Sequence, residues 1–213
     1  MYIPQHFREE RLEILQALMR DYPLATLVTL TGGALSANHI PLLLDPSQGQ
    51  YGVLRGHVAR SNPLWREAQG GGEVLAVFTG PESYVSPSWY PSKGETGKAV
   101  PTWNYAAVHA WGPLGIKDDP AWLRRHVEAL TDAHEGHREP RWRVGDAPED
   151  YLAGMVKAIV GIEIPVRRLE GKWKMSQNRT PDDRGGVLRA LRRTPGGDAV
   201  ADQIERANPP RRP

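Results

Sequence analysis

The fold turns on one stretch: Leu24-Ala25-Thr26-Leu27-Val28-Thr29-Leu30-Thr31-Gly32-Gly33-Ala34-Leu35-Ser36-Ala37-Asn38-His39-Ile40-Pro41. Leu24 to Leu30 is apolar with β-branched residues, Thr31-Gly32-Gly33 turns the chain, and Ala34 to Leu44 reads as the returning strand. So short a connection closes an antiparallel pair, because a parallel neighbour needs a crossover of about a dozen residues or more. Pro41 has no N–H for a ladder and predicts an edge or a bulge.

Outward from this hairpin the pattern repeats. Asp45 to Gly49 is a second turn and Tyr51 to Val58 a third strand. Glu73 to Thr79, the region Val100 to Lys117, and Ile159 to Leu169 supply three more, the last alternating Ile162, Ile164 and Val166 against Glu163, Pro165 and Arg167. Helices are expected at Phe7–Arg20, from Asn62-Pro63 to about Gln69, from Asp119-Pro120 to about Ala133, and at Glu149–Lys157. Gly80 to Lys98 reads as a long loop rich in Pro, Ser and Gly. The expected class is α+β, mainly β: a small closed or partly closed barrel with peripheral helices. Residues 1–180 form the domain, and 181–213 add short helices and a flexible tail.

Composition narrows the function. The 213 residues suffice for a core, and the absence of cysteine excludes disulfides, thiolate metal sites and cysteine nucleophiles. No apolar run is long enough to span a membrane, and the N-terminus lacks a secretory pattern, so the expected compartment is the cytoplasm. Net charge is only +2, against a general nucleic-acid binder. Residues 166–213 nevertheless hold 12 basic and six acidic side chains, the remainder 15 and 19. The 7 Trp and 7 Tyr against 2 Phe mean that nearly every ring carries a polar handle.

Gly94-Glu95-Thr96-Gly97-Lys98-Ala99 fails as a phosphate loop: Ser92 stands where the motif needs Gly, and Ala99 where it needs a hydroxyl. His39, His57 and His109 lie on separate strands and His134-Glu135-Gly136-His137 in a loop, and no metal site is expected from either set. Gly56-His57-Val58-Ala59-Arg60-Ser61-Asn62-Pro63 runs from a strand end into a helix start. Arg60 and Ser61 there suit an array of phosphate oxygens; equally, Asn62 caps the helix and Arg60 is a surface charge. Asn38 and His39, polar within an apolar strand, either address a ligand or pair across the sheet. Tyr84, Trp89, Tyr90, Trp103, Tyr105 and Trp111 gather within 28 residues, suited to a planar phosphorylated cofactor or to a subunit interface.

Six ordered motifs then resemble one family. They are Met1-Tyr2-Ile3-Pro4 with His6-Phe7; Ala37-Asn38-His39-Ile40-Pro41-Leu42; Gly56-His57-Val58-Ala59-Arg60; Ser86-Pro87-Ser88-Trp89-Tyr90; Val100-Pro101-Thr102-Trp103-Asn104-Tyr105; and Lys172-Trp173-Lys174-Met175-Ser176-Gln177-Asn178-Arg179. The chain resembles the PaiB-type FMN-binding negative transcriptional regulators from Met1 to about Leu191. The resemblance implies a flavin-reductase-like split β-barrel, a homodimer, and FMN bound between subunits. By order along the chain, it implies cofactor contacts from Ser36, Ala37, Asn38, His39 and Ile40; from His57, Val58, Ala59, Arg60, Ser61 and Asn62; and from Thr102, Trp103 and Asn104. Lys172, Lys174, Gln177 and Arg179 would close the site. Arg60 and Ser61 would hold the phosphate, Asn38, His39 and Asn104 the polar rim of the ring. The implied role is transcriptional regulation with DNA as a partner, directly or through another protein. The competing expectation is a flavin-dependent oxidoreductase, or a haem-binding or haem-degrading enzyme.

Overall fold

A computed structural model describes residues 1–67 and 70–209. After a 3-10 turn at Gln5–Phe7, the elements are β1 (Arg8–Glu9), α1 (Leu12–Asp21), β2 (Leu24–Thr31), β3 (Ala34–Pro41), β4 (Leu43–Asp45), β5 (Val53–Ala59), α2 (Leu64–Glu67), β6 (Glu73–Val85), α3 (Ser92–Thr96), β7 (Thr102–Pro113), β8 (Gly115–Lys117), α4 (Pro120–Glu135), α5 (Glu149–Lys157), β9 (Ile159–Pro165), β10 (Arg168–Lys174), α6 (Pro181–Leu191) and α7 (Asp198–Ala207). The chain divides into two compact units, residues 19–78 with 109–169, and residues 1–18 with 79–108 and 170–213; β6 and β7 run through both.

In the first unit, β2 and β3 pair antiparallel from Leu24↔Pro41 to Thr31↔Ala34, and β2 pairs with β6 across Leu75–Val77. A second sheet has the order β4-β5-β9-β8. Leu27, Leu54, Phe78, Leu123, Ile162 and Ile164 are buried in its core. The expected hairpin partner Ala34–Leu44 is two strands in two sheets, joined through Leu42 alone. Pro41 withholds a ladder N–H, and the Leu42 N–H donates to the Pro23 carbonyl at 2.9 Å. The expected strand Val100–Lys117 breaks in the same way at buried Leu114, whose N–H reaches the Gly72 carbonyl at 3.2 Å.

In the second unit, the strand order is β1-β10-β7-β6, with Arg8↔Lys172 and Glu9↔Gly171 paired. Leu15, Leu18, Val85, Trp173, Met175, Leu191 and Ile204 are buried there. Thr180 caps α6 by accepting from the Asp183 N–H at 3.2 Å. Arg192, at the end of α6, binds Asp198, Asp202 and Glu205 at 3.2, 2.7 and 3.2 Å, fastening α7.

Three further expectations change. The first helix begins at Leu12, not Phe7, because the Glu9 carboxylate accepts the Arg11 N–H at 3.0 Å and holds the guanidinium, ending β1 and opening the helix. Gly80 to Val85 is strand rather than loop. A Cβ at Gly80 would lie 2.8 Å from Leu18 Cδ1, the movable end of that side chain, and Pro81 falls beyond the stretch that β2 pairs with. The strand read as Ile159–Leu169 ends at Pro165. Val166 and Arg167 donate to the Gly52 and Trp111 carbonyls at 3.0 and 2.8 Å, and β10 follows.

Candidate functional site

In the first unit, β3 lies close against β5 because Gly56 has no side chain. A Cβ there would sit 2.7 Å from Leu42 Cδ2 and 3.1 Å from the Pro41 carbonyl oxygen. The two strands and the start of α2 enclose a cavity of about 360 Å³ lined by Asn38, His39, Ile40, Pro41, His57, Val58, Ala59, Asn62 and Ile159. Seven of these nine are residues that the sequence singles out; Pro41 and Ile159 complete the wall. Asn62 does two jobs. Its Oδ1 accepts the Leu64 N–H at 3.0 Å, capping α2, and its Nδ2 donates to Asn38 Oδ1 at 2.8 Å. Helix capping and cross-element pairing are therefore both realised. Ser36, Ala37, Arg60 and Ser61 are not on the cavity wall.

The Arg60 guanidinium is engaged elsewhere. Its Nη atoms hold the Asp118 carboxylate at 3.0 and 2.5 Å, and it also donates to the Lys157 and Ile159 carbonyls at 2.7 and 2.9 Å. That pairing holds the Asp118 carboxyl below its ordinary range. The fork is thus committed to the chain segments flanking β9 rather than turned to the cavity.

Behind His57 stands a residue that sequence reading passes over. His126, on α4, is buried, and its Nε2 lies 3.1 Å from His57 Nδ1. The indole of Trp122, one turn earlier, stacks on the His126 ring at 5.2 Å and 18°. Trp122 fits because its neighbour on β9 is Gly161, the register partner of His57. Burial lowers the pKa of His57. His126 is lowered to about 4, by burial first and then by the His57 and Arg55 charges. Both imidazoles are neutral at pH 7. The only sequence signal was Trp122 and His126 at helical spacing, which says nothing about what they meet.

The second unit gathers the other predicted residues. Lys174 Nζ donates to Thr102 Oγ1 and, at 2.6 Å, to the Trp103 carbonyl; burial, then Lys172 and Arg179, lowers its pKa. Asn104, almost fully buried, donates to Ser176 Oγ at 3.0 Å. Gln177 spends both ends of its amide inside its own turn, accepting from the Met175 N–H at 2.7 Å and donating to the Trp173 carbonyl at 2.6 Å. Arg179 lies over the Tyr90 ring at 4.6 Å, and exposed Trp103 meets Tyr84 edge-on at 6.1 Å. Among the described residues, no three His, Asp or Glu side chains gather as metal ligands; His109 instead lies against Trp111 at 5.6 Å.

The lining of the first unit's cavity is of the kind a flavin ring takes: apolar walls from Ile40, Val58 and Ile159, with the Asn38–Asn62 amides and the His39 and His57 imidazoles as polar partners. Comparison with known proteins identifies the family. A protein of Emericella nidulans, "Uncharacterized protein AN0679", is 38% identical over 242 residues, covering 96% of each chain. "Protease synthase and sporulation protein PAI 2" of Bacillus subtilis is 32% identical over 209 residues, covering 96% of this chain and 97% of that one. The structure of the FAD and heme binding protein from Mycobacterium smegmatis superposes with a TM-score of 0.58 at 18% identity, over 78% of this chain and 73% of that one. That likeness carries the fold class, the flavin-reductase-like split β-barrel with largely antiparallel sheets. Residues 1–168 match the family described as "Putative FMN-binding domain", and with the full-length likeness to the PAI 2 protein this shows that the chain belongs to that FMN-binding family.

Proposed function

We propose that this FMN-binding chain is a homodimeric, cytoplasmic negative transcriptional regulator of the PaiB type, with the flavin ring in the Asn38–His57–Asn62 cavity. The observation that carries the cofactor placement is the cavity itself, with seven of the expected contact residues on one wall-to-wall site. Bound FMN supplies reversible one- and two-electron chemistry. The chain's residues orient and shield it: Asn38 and Asn62 present a fixed amide pair, and Ile40, Val58 and Ile159 exclude water. Thr102, Trp103, Asn104 and the turn from Lys174 to Arg179 form a second contact region, which the dimer reading assigns to the neighbouring copy. The dimer reading rests on Leu30 and Leu35, which face each other across the β2–β3 hairpin and are 65% and 76% exposed.

The regulatory role draws on the resemblance of the six motifs to the PaiB-type regulators; the relative's name speaks of protease synthesis and sporulation. It does not require α7 to read DNA: α7 carries Asp198, Asp202 and Glu205 against Arg206. A purified protein with a visible flavin spectrum, quenching FMN fluorescence on titration, supports the cofactor reading; a colourless protein that leaves FMN fluorescence unchanged refutes it. Sedimentation tests the dimer. A mobility-shift titration with rising salt, with and without FMN, tests regulation: sequence preference that survives salt supports direct binding, and uniform loss refutes it.

A further inference from the structure

The His57–His126 pair has one proton to share between the facing nitrogens. If His57 Nδ1 carried it, neutral His126 would have its own proton on Nδ1. That atom is buried and has no hydrogen-bond partner among the described residues. An orphaned buried N–H is rare and costly, whereas an unpartnered lone pair is somewhat better tolerated. Nor does the nearby ring rescue an Nδ1–H. Imidazole N–H bonds lie in the ring plane, and Trp122 covers the face of His126 at 18°, not its edge. The proton therefore sits on His126 Nε2 and is donated to His57 Nδ1 across 3.1 Å. This leaves His57 with its proton on Nε2, while its side chain lines the cavity.

We infer that His126 is a positioning residue: by donating to His57 Nδ1, it fixes His57 as the Nε2–H tautomer, so that His57 offers the cavity a hydrogen-bond donor and selects an occupant that presents an acceptor. The inference deepens the proposed flavin reading and rests on it for the identity of the occupant. FMN has such acceptors in its ring carbonyls and ring nitrogens, and in its phosphate. Trp122 and Gly161 serve the same end, because the indole, seated over Gly161, stacks on the His126 ring and sets its plane.

Two-bond ¹⁵N–¹H correlation spectra of the histidine rings at pH 7.5, on the protein without FMN, test the tautomer directly. Both His57 and His126 should show the Nε2–H pattern; an Nδ1–H pattern for His57 overturns the inference whether or not FMN binds. His126→Phe keeps the stack on Trp122 but removes the donor. It should release His57 to a mixture of tautomers and weaken FMN binding about two- to tenfold, the range of one hydrogen bond. His126→Gln restores a donor at the Nε2 position and should recover both. Melting curves confirm that each variant is folded. A folded His126→Phe protein with unchanged tautomer and affinity overturns the inference. Riboflavin separates the acceptors: equal losses for riboflavin and FMN place the acceptor on the ring, and a loss confined to FMN places it on the phosphate. Wild-type protein that quenches neither flavin overturns the cofactor placement, and the ring spectra still decide the tautomer.

Discussion

Gly161→Ala should be among the costliest single-methyl additions in the chain. The new Cβ would lie 2.2 Å from Trp122 Cζ3, 2.8 Å from Cε3 and 3.0 Å from the Lys117 carbonyl oxygen. Carbon atoms rest about 3.5–4 Å apart, so the indole must retreat by roughly 1.5 Å. It cannot do so and stay stacked on His126, and β9 cannot bow away without losing its His57↔Gly161 register with β5. Overpacking of this kind costs about 1–3 kcal/mol, offset by roughly 0.4–1 kcal/mol because alanine stiffens the unfolded chain. At the middle of both ranges the net loss is about 1.3 kcal/mol, a melting point about 3–5 °C lower for a chain this long. Gly154→Ala is the matched control. It lies on exposed α5 with open space around it, and there the same change should stabilise by about 0.5–1 kcal/mol. Differential scanning calorimetry of both variants checks the pair. A Gly161→Ala protein that melts at or above wild type would show that Trp122 does not need that space, and the support assigned to His126 would fall with it.

Gly56→Ala should narrow the cavity from the Leu42–Pro41 side, so FMN affinity measured by fluorescence quenching should fall together with the melting temperature; unchanged affinity would place the flavin elsewhere. Stability should rise with pH between about 4 and 6.5, because His126 is neutral when folded, with its pKa lowered to about 4 from 6.5, while the unfolded chain takes up a proton below 6.5. The effect amounts to up to about 3 kcal/mol. Urea unfolding at pH 5 and pH 7.5 measures it, and His126→Phe should flatten the difference; an equally steep variant would assign the slope to other groups. Arg192→Ala should raise hydrogen exchange in α7 selectively, since three carboxylates lose a shared partner; uniform exchange across both units would refute a local clamp.

What could be read from the sequence follows the range of the interactions involved. The β2–β3 hairpin was legible because turn chemistry and alternation are local, and so was the Asp119 cap of α4, whose carboxylate accepts the Ala121 and Trp122 N–H groups. β10 was hidden because Lys172 and Lys174 look like surface charge. In the fold, Lys172 is buried, its ammonium 5.2 Å from the Tyr105 ring centre and bonded to the Tyr2 carbonyl. Gly80-Pro81 looked like a chain breaker, yet β6 runs on through it. At the site, Asn38 was within reach because its polarity is anomalous for a strand residue, and His57 and Asn62 because they lie where a strand end runs into a helix start. Arg60 was assigned to phosphate on chemistry that Asp118, 58 residues away in the chain, also satisfies. His126 could not be found, because nothing about a helical histidine announces a partner on another strand.

Leu42 and Leu114 each carry the chain from one sheet to the next in a single residue. Side chains alternate faces with a period of two, so the parity of residues on either side of such a corner is fixed. One residue gained or lost there would turn the next strand inside out. The sites that can absorb changes of length are the longer connections, such as residues 46–52 and 136–148. Insertions and deletions should therefore be tolerated in those loops and not at the two corners.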